Sequence, residues 1–326
     1  MGLEKEMQSY RVHSTSEYYG RADASLGWEL TVCNALYPES SPCRRFLKKN
    51  ASYGVLLFDF LQSFLPFHRI KQVIEIGGGY GYLMKDLLAR KPHLTVTMLD
   101  ISPFLLNKQK KHLKNDTIQY QERDFLNYEP GLLRGQELAI LNENMGDFPT
   151  ITHINREIFQ TSPGLLEPAL EQVRVFFDQY DFIKPESDLF HFNLGALQAV
   201  QKLCSAGVPY VFVSEHSCEA LVPAAFADFI HIHSAGQPEK ISLHGHAEYS
   251  IQFSYLEKMA RCFQYQVVRG PLADFIKMDF SASLRALLRL PSTVNDEAEI
   301  IRHFVEDLFK YEYLLLLTEP AGSTEE

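Results

Sequence analysis

The stretch EIGGGYG at residues 75–81 decides the fold, because it joins two segments of different periodicity. Ahead of it, Gln72–Ile76 is a short run rich in β-branched residues. After it, Tyr82–Arg90 carries leucines at helical spacing. The pattern predicts a strand, a tight glycine turn and a helix. In an open parallel sheet, ligands bind outside the carboxyl ends of the strands, so the turn is a candidate binding site.

The alternation of strands and helices continues outward from this turn. Aliphatic or β-branched runs predict further strands at residues 94–99, 117–121, 138–141, 208–213, 264–268 and 311–318. Apolar residues at helical spacing predict helices at residues 103–114, 195–204 and 255–262. Strands separated by helices indicate a mostly parallel sheet with helices on both faces. The predicted fold class is therefore α/β, with a doubly wound, Rossmann-like sheet.

The chain divides into a short N-terminal part and one large domain. Residues 1–40 show no clear periodicity and predict irregular or loosely helical structure, whereas residues 41–66 have helical spacing. We therefore predict a mostly helical extension at residues 1–70 and a sheet domain at residues 71–326. Long segments interrupt the later elements of that domain at about residues 155–190, 215–250 and 271–310. Inserts between sheet elements commonly carry substrate specificity.

Composition limits the classes of partner. The chain has 326 residues and a formal net charge of −10, so its surface as a whole does not attract nucleic acid. Its apolar stretches are too short to cross a bilayer, and the first 14 residues lack the apolar region of a secretory signal. Five scattered cysteines without a CxxC pair are typical of a reducing compartment. We expect a cytoplasmic protein that binds neither nucleic acid nor a membrane, and a homodimer is compatible with the sequence.

Two nucleotide cofactors compete for the glycine turn. Dinucleotide-binding sites have the spacing GxGxxG, whereas Gly77, Gly79 and Gly81 give GxGxG, with Glu75 two residues ahead. An acid is repelled by a pyrophosphate but attracted by the sulfonium and ammonium groups of S-adenosylmethionine. The pattern therefore favours S-adenosylmethionine over NAD. Asp100 follows the next predicted strand, where it can accept hydrogen bonds from ribose hydroxyls.

The glycine turn resembles motif I of the class I methyltransferases. In that family the acid after strand two binds the ribose, which implies Asp100 with its neighbour Ile101. An acid after strand three contacts the adenine amino group, which implies Asp124 with its neighbour Phe125. The resemblance thus implies a methyltransferase with S-adenosylmethionine as its cofactor.

The fourth predicted strand runs into NENMGDFP at residues 142–149, and here the sequence resembles the MidA-like methyltransferases. Mitochondrial members of that family methylate an arginine of a respiratory complex I subunit during assembly. Asn142, Glu143 and Pro149 match the family motif, but Gly146 occupies the place of its aspartate and the acid stands at Asp147. After the fifth predicted strand, SEHS at residues 214–217 replaces the acidic turn of the family.

The residues after the fourth strand are also the candidates for catalysis. Methyl transfer mainly requires that the nucleophile is positioned and water excluded. Glu143 can hold a guanidinium or take a proton from a hydroxyl, and Asn142 and Asp147 are further candidates. Alternatively, Asn142 and Glu143 only bind the cofactor or cap the next helix. The expected methyl acceptor is a protein side chain or a small molecule.

Two other interpretations stay open. Histidines recur at His231, His233, His244 and His246, with His216 upstream, and such spacing can serve a metal site. Alternation on an exposed strand explains them equally, so we predict no metal ligands. The departures at residues 146 and 214–217 also leave open a protein that binds the cofactor as an assembly factor or scaffold, while an NAD-dependent oxidoreductase is disfavoured by the glycine spacing.

Overall fold

The computed structural model describes residues 10–21, 31–115, 117–162, 164–243, 245–289 and 296–318. Residues 1–9 and 22–30 of the predicted N-terminal extension lie outside the described residues. Within the described residues, none of the helices combines the length and the apolar character that a membrane span requires.

The described residues contain twelve strands and ten α-helices. The strands are β1 (Arg11–His13), β2 (Gln72–Ile76), β3 (Thr95–Asp100), β4 (Gln119–Glu122), β5 (Leu138–Asn142), β6 (Thr150–Asn155), β7 (Leu189–Phe192), β8 (Tyr210–His216), β9 (Lys240–Ser242), β10 (Ala247–Tyr249), β11 (Gln266–Pro271) and β12 (Tyr311–Leu317). The helices are α1 (Ser16–Tyr19), α2 (Val32–Leu36), α3 (Tyr53–Leu61), α4 (Tyr82–Arg90), α5 (Pro103–Leu113), α6 (Pro168–Tyr180), α7 (Leu194–Ser205), α8 (Phe253–Cys262), α9 (Ala282–Arg289) and α10 (Asp296–Lys310). Short 3-10 helices lie at Pro42–Phe46, Phe125–Asn127, Pro130–Leu133, Met145–Asp147, Arg156–Phe159, Ala224–Phe226 and Leu272–Asp274.

The central sheet has seven strands in the order β11-β12-β8-β5-β2-β3-β4. The five strands from β8 to β4 are parallel, while β12 is antiparallel to both of its neighbours. The predicted α/β class with a doubly wound, Rossmann-like sheet is confirmed. Sheets that bind dinucleotides are parallel, with strand order 3-2-1-4-5-6. The antiparallel strand β12 therefore distinguishes this sheet from those of NAD enzymes.

Each face of the sheet packs against its own layer of helices. Successive side chains of a strand point to opposite faces, so Val73 and Ile74 of β2 enter different hydrophobic cores. Val73 shares its core with residues of α3, α4 and α10, and Ile74 shares the other core with residues of α6, α7 and α8. Because both faces are covered, most residues of the central strands β2, β3, β5 and β8 are buried.

Two small sheets lie outside the central one. The first, β1-β6-β7, joins the N-terminal segment to strands that the sequence did not predict. Three residues of β1 are too few to show a period of two, which is why the sequence indicated only irregular structure there. The second is the hairpin of β9 and β10, within the predicted insert at residues 215–250. Of the other inserts, residues 155–190 carry α6, and residues 271–310 carry α9 and α10.

Candidate functional site

A cavity of about 280 Å³ opens at the carboxyl ends of the parallel strands. Residues from the ends of β2, β3, β5 and β8 line it together with the N-terminal segment and the late inserts. The lining includes Thr15, Tyr19, Gly77, Gly79, Asp100, Ile101, Asp124, Leu126, Glu143, Asn144, Asp147, Glu215, His216, Glu248, Asp307 and Tyr311. A smaller cavity of about 50 Å³ adjoins it, and Gly77, Gly79 and Glu143 line both. The predicted edge of the sheet therefore does carry a concave site.

The glycine turn needs its glycines for conformation and for space. Gly77, Gly79 and Gly81 all have positive φ, at 65°, 52° and 80°. A Cβ at Gly77 would lie 2.2 Å from Nδ2 of Asn144, which packs over the turn and donates to the carbonyl oxygen of Ile76 at 2.5 Å. Gly81 caps the start of α4 and is absent from the lining of both cavities. Sequence reasoning did not single out Asn144, which fixes the turn from 68 residues away.

Glu75 lies beneath the glycine turn and lines the smaller cavity. Its side chain is buried, and a Cβ at Gly78 would lie 2.9 Å from its carboxyl carbon. Burial, and then the nearby Asp100, raise the pKa of Glu75 to about 8. The Oε2 atom of Glu75 has no hydrogen-bond partner among the described residues. A buried carboxyl of this kind favours a cationic ligand, because a positive charge would stabilise its ionised form.

Asp100 ends β3 and faces the large cavity. Its two carboxyl oxygens accept from the backbone amide of Ser102 at 2.9 Å and from Nε2 of Gln109 at 3.0 Å. Burial raises its pKa to about 6 although these hydrogen bonds oppose the shift. Since Gln109 also donates to the carbonyl oxygen of Gly79, Asp100 and the glycine turn are fixed by one side chain.

The loop after β4 brings Asp124 to the cavity but not Phe125. Asp124 lines the cavity and caps its 3-10 helix by accepting from the amide of Leu126 at 2.9 Å. Phe125 is buried in the core that Ile74 shares, and Leu126 lines the cavity instead. Nζ of Lys202 donates to three carbonyl oxygens of this loop, those of residues 125, 126 and 128, which holds Asp124 in place.

Asn142 ends β5 and lines the smaller cavity, and Glu143, which follows it, lines both cavities. Oδ1 of Asn142 accepts from Tyr53 and from Ser214, and its Nδ2 donates to Glu143 at 3.2 Å. Oε1 of Glu143 also accepts from the amide of Cys33 at 3.0 Å, whereas Oε2 is shielded from solvent without a hydrogen-bond partner among the described residues. Burial raises the pKa of Glu143 to about 7, against these hydrogen bonds. Glu143 also has a φ of 54°, which a non-glycine residue rarely adopts.

Gly146 has little space for a side chain. A Cβ at Gly146 would lie 3.0 Å from the carbonyl oxygen of Tyr249, so a side chain does not fit there without movement. The amide of Gly146 instead donates to Oε2 of Glu215 at 3.1 Å. Asp147 lines the cavity, with its Oδ1 atom 3.9 Å from Nε2 of His246.

Sequence reasoning missed an acidic cluster around His216. Nδ1 of this ring lies 3.6 Å from Glu215 and 3.4 Å from Glu248, while its Nε2 lies 3.8 Å from Asp307. Burial opposes the charged ring, yet Asp307 and Glu248 outweigh it and raise the pKa of His216 to about 9. The signal in the sequence was Glu215, an acid that follows the fifth predicted strand.

The histidines that the sequence grouped together are not brought together. His231 and His233 are exposed. The ring of His246 is buried and stacks on Tyr18 at 4.3 Å. His244 lies outside the described residues. Of the described members of that group, His246 lies near the carboxylate of Asp147, and the upstream His216 lies near those of Glu215, Glu248 and Asp307.

The protein is expected to lose stability as the pH rises, because of Glu75. Its pKa is about 8 in the folded protein against an ordinary value of 4.5. Between these values the folded state holds a proton that the unfolded chain releases, so the free energy of unfolding falls by at most about 1.4 kcal/mol per pH unit for this group. The contribution is complete below the ordinary value and is lost as the pH passes through the folded one. Urea unfolding between about pH 5 and 9 measures this slope.

Glu75→Gln should make that slope shallower, since glutamine does not titrate. Glu122→Gln, which changes an exposed carboxyl at the end of β4, should leave the slope as it is. An identical slope in wild type and Glu75→Gln would contradict the assignment of this proton to Glu75.

No protein-family model and no curated protein matches this chain. Solved structures match at low similarity. An O-methyltransferase family protein from Burkholderia thailandensis is 14% identical, with a TM-score of 0.41. The match covers 82% of this chain but only 56% of the length of that protein. The plantazolicin methyltransferase BpumL, solved with SAH, is 10% identical with a TM-score of 0.44, over 94% of this chain and 96% of that one. The glycopeptide N-methyltransferase MtfA, solved with S-adenosylmethionine, is 11% identical with a TM-score of 0.42, over 81% and 93%. These likenesses assign no family, so we argue function from the site.

Proposed function

We propose that this protein is an S-adenosylmethionine-dependent methyltransferase. The observation that carries the proposal is the carboxyl of Glu75, buried without a hydrogen-bond partner among the described residues beneath a turn of three positive-φ glycines. The sulfonium and ammonium groups of S-adenosylmethionine would stabilise the ionised form of this carboxyl, whereas that form would repel a dinucleotide pyrophosphate. The reversed strand β12 supports the same choice, because the dinucleotide-binding sheet lacks it.

The residues of the site fit the parts of this cofactor. Glu75 and the glycine turn line the smaller cavity, where the methionine end would bind. Asp100, with Ile101 beside it, would accept hydrogen bonds from the ribose hydroxyls, and Asp124 would accept from the adenine amino group. The glycines matter because a bare main chain lets the cofactor approach closely.

The cofactor supplies a methyl group already activated by its sulfonium, so the protein must position a nucleophile and exclude water. Glu143 lines both cavities, and its Oε2 atom has no hydrogen-bond partner among the described residues. A carboxyl with a pKa of about 7 is suited to take a proton from the acceptor near neutral pH. Asn142 orients Glu143. Asp147 lines the larger cavity, in which the methyl acceptor would bind.

The acceptor we propose is a protein side chain or a small molecule. The carboxylates of the cavity are compatible with the arginine that the MidA-like resemblance implies. An assembly factor or scaffold that binds the cofactor without turnover is the alternative.

The five cysteines are all unpaired, which supports a reducing compartment such as the cytoplasm.

Titration calorimetry tests the cofactor. We expect S-adenosylmethionine and its demethylated product SAH to bind with one molecule per chain, and NAD to give no binding heat. Asp100→Ala should weaken both by more than about tenfold, since it removes hydrogen bonds to a charged group. Asp178→Ala, an exposed residue of α6, should leave both affinities unchanged. Binding of NAD, or no heat with S-adenosylmethionine, would overturn the proposal.

Transfer of a labelled methyl group then separates an enzyme from a scaffold. Incubation of the protein with methyl-labelled cofactor and cell extract should label an acceptor that mass spectrometry identifies. Cofactor binding without any labelled product would favour the scaffold.

A further inference from the structure

Three residues from two separate parts of the chain converge on one point of the cavity. Glu215 and His216 end the parallel strand β8, and Glu248 comes from the hairpin strand β10. One side-chain ligand atom from each lies within 4.8 Å of the others. Asp307, on α10, stands on the opposite side of the His216 ring, with its Oδ1 atom 3.8 Å from Nε2.

The distances within this cluster are also those expected between ligands of one cation. Nδ1 of His216 is shielded from solvent and makes no hydrogen bond of acceptable geometry among the described residues. It nevertheless lies 3.4 Å from Oε1 of Glu248 and 3.6 Å from Oε1 of Glu215. Two ligands of a tetrahedral ion with bonds of about 2.1 Å are about 3.4 Å apart.

The negative charge of the cluster also favours a bound cation. Three carboxylates surround one imidazole, so the sum stays negative even when the ring is protonated. The described residues that line the cavity include no lysine and no arginine. Glu215 is only 1% exposed, and the side chains of His216 and Glu248 are each 13% exposed, so water screens this charge poorly.

We infer that Glu215, His216 and Glu248 bind a divalent first-row metal ion, of the class of Mn²⁺ or Zn²⁺. Two carboxylates and one imidazole are the mixed oxygen and nitrogen ligands that such ions accept, and binding would release the proton of Nδ1 of His216 to solvent. Asp307 acts on the far ring nitrogen, as carboxylates commonly do to orient a metal-binding histidine. Three protein ligands leave further coordination positions open toward the cavity. This site is distinct from the histidine pairs at residues 231–246, whose spacing in the sequence raised the hypothesis of a metal site.

The metal site deepens the proposed function and rests on it for its role. An ion here would bind an oxygen of the methyl acceptor and lower the pKa of a coordinated hydroxyl. The proton of that hydroxyl would pass to Oε2 of Glu143, which lines the same cavity. The class of acceptor that this arrangement selects is a molecule with a hydroxyl or carboxyl oxygen at the reacting position.

Metal binding can be measured without any acceptor. After treatment with EDTA and its removal, Mn²⁺ and Zn²⁺ are titrated into the full chain, by electron paramagnetic resonance for Mn²⁺ and by calorimetry for both. We expect one ion per chain, with affinity lowered at least tenfold in His216→Gln and in Glu248→Gln. His233→Gln is the matched control, because that ring is 85% exposed and lies outside the cluster, and it should bind as wild type does.

Circular dichroism establishes that each variant is folded, and if His216→Gln does not fold then Glu248→Gln carries the test. Wild type that binds no ion, or a folded cluster variant that binds as well as wild type, would overturn the inference. S-adenosylmethionine binding is measured in the same samples with EDTA present. Cofactor binding without metal binding overturns only the metal site, and metal binding without cofactor binding overturns only the proposed function.

Discussion

Gly77→Ala is expected to weaken the binding of S-adenosylmethionine by about 10- to 100-fold, because displacement of the main chain that faces the cofactor costs about 1–3 kcal/mol. The added methyl group would meet Nδ2 of Asn144 at 2.2 Å, and it would sit on a backbone with φ of 65°. Either Asn144 or the turn must move, and both hold the main chain that faces the cofactor. The measurement is titration calorimetry on the folded variant, together with its thermal midpoint.

Gly207→Ala separates backbone strain from the loss of the site. Gly207 has a similar φ of 71°, but nothing lies within 4 Å of the Cβ that alanine would add. The strain, about 1–2 kcal/mol, should therefore lower the stability of both variants. Only Gly77→Ala should lose cofactor affinity. Wild-type affinity in a folded Gly77→Ala would mean that the cofactor does not lie against this turn.

Glu143→Gln is expected to lower the turnover number by about 10²- to 10⁴-fold, the usual contribution of a general base. Glutamine keeps the shape and the hydrogen bonds to Cys33 and Asn142 but accepts no proton. Turnover of the wild type should rise with pH through about 7, because the carboxyl must be ionised to act. That limb of the profile should be absent in the variant. The rate of SAH formation with the labelled acceptor measures both.

Asp147→Asn provides the comparison within the same cavity. Asp147 lines the larger cavity, in which the acceptor would bind, so its replacement should change the Michaelis constant for the acceptor more than the turnover number.

An unchanged turnover number in Glu143→Gln would exclude Glu143 as the base. Loss of cofactor affinity in proportion to turnover would show instead that Glu143 holds the cofactor, the alternative that the sequence left open.

The elements around the glycine turn could be predicted because their signals are local. Gln72–Ile76 and Tyr82–Arg90 have the bounds that the sequence indicated, and Asp100 ends the next strand as expected. The reversed direction of β12 could not be predicted in the same way. Its sequence predicts a strand, but its direction depends on pairing with β8 and β11, which begin about 100 and 45 residues earlier in the chain.

The residues of the candidate site could be predicted only where they belong to one continuous sequence motif. Asp124 reaches the cavity, but its neighbour Phe125 turns into the core, because a 3-10 helix rather than an extended chain follows the acid. Asn144 was not assigned to the site since its partner is a backbone oxygen in another element. Glu248 on β10 and Asp307 on α10 come from late inserts far apart in the sequence, and only the folded chain brings them to His216.

The reversed strand has a consequence for the electric field in the cavity. Because β12 begins at the ligand edge, where Tyr311 pairs with His216, the preceding helix α10 ends there at Lys310. Helix α4, by contrast, begins at that edge. A helix carries partial positive charge at its first turn and partial negative charge at its last. The cavity therefore lies between two opposite poles, which would orient a dipolar or zwitterionic molecule before any side chain touches it.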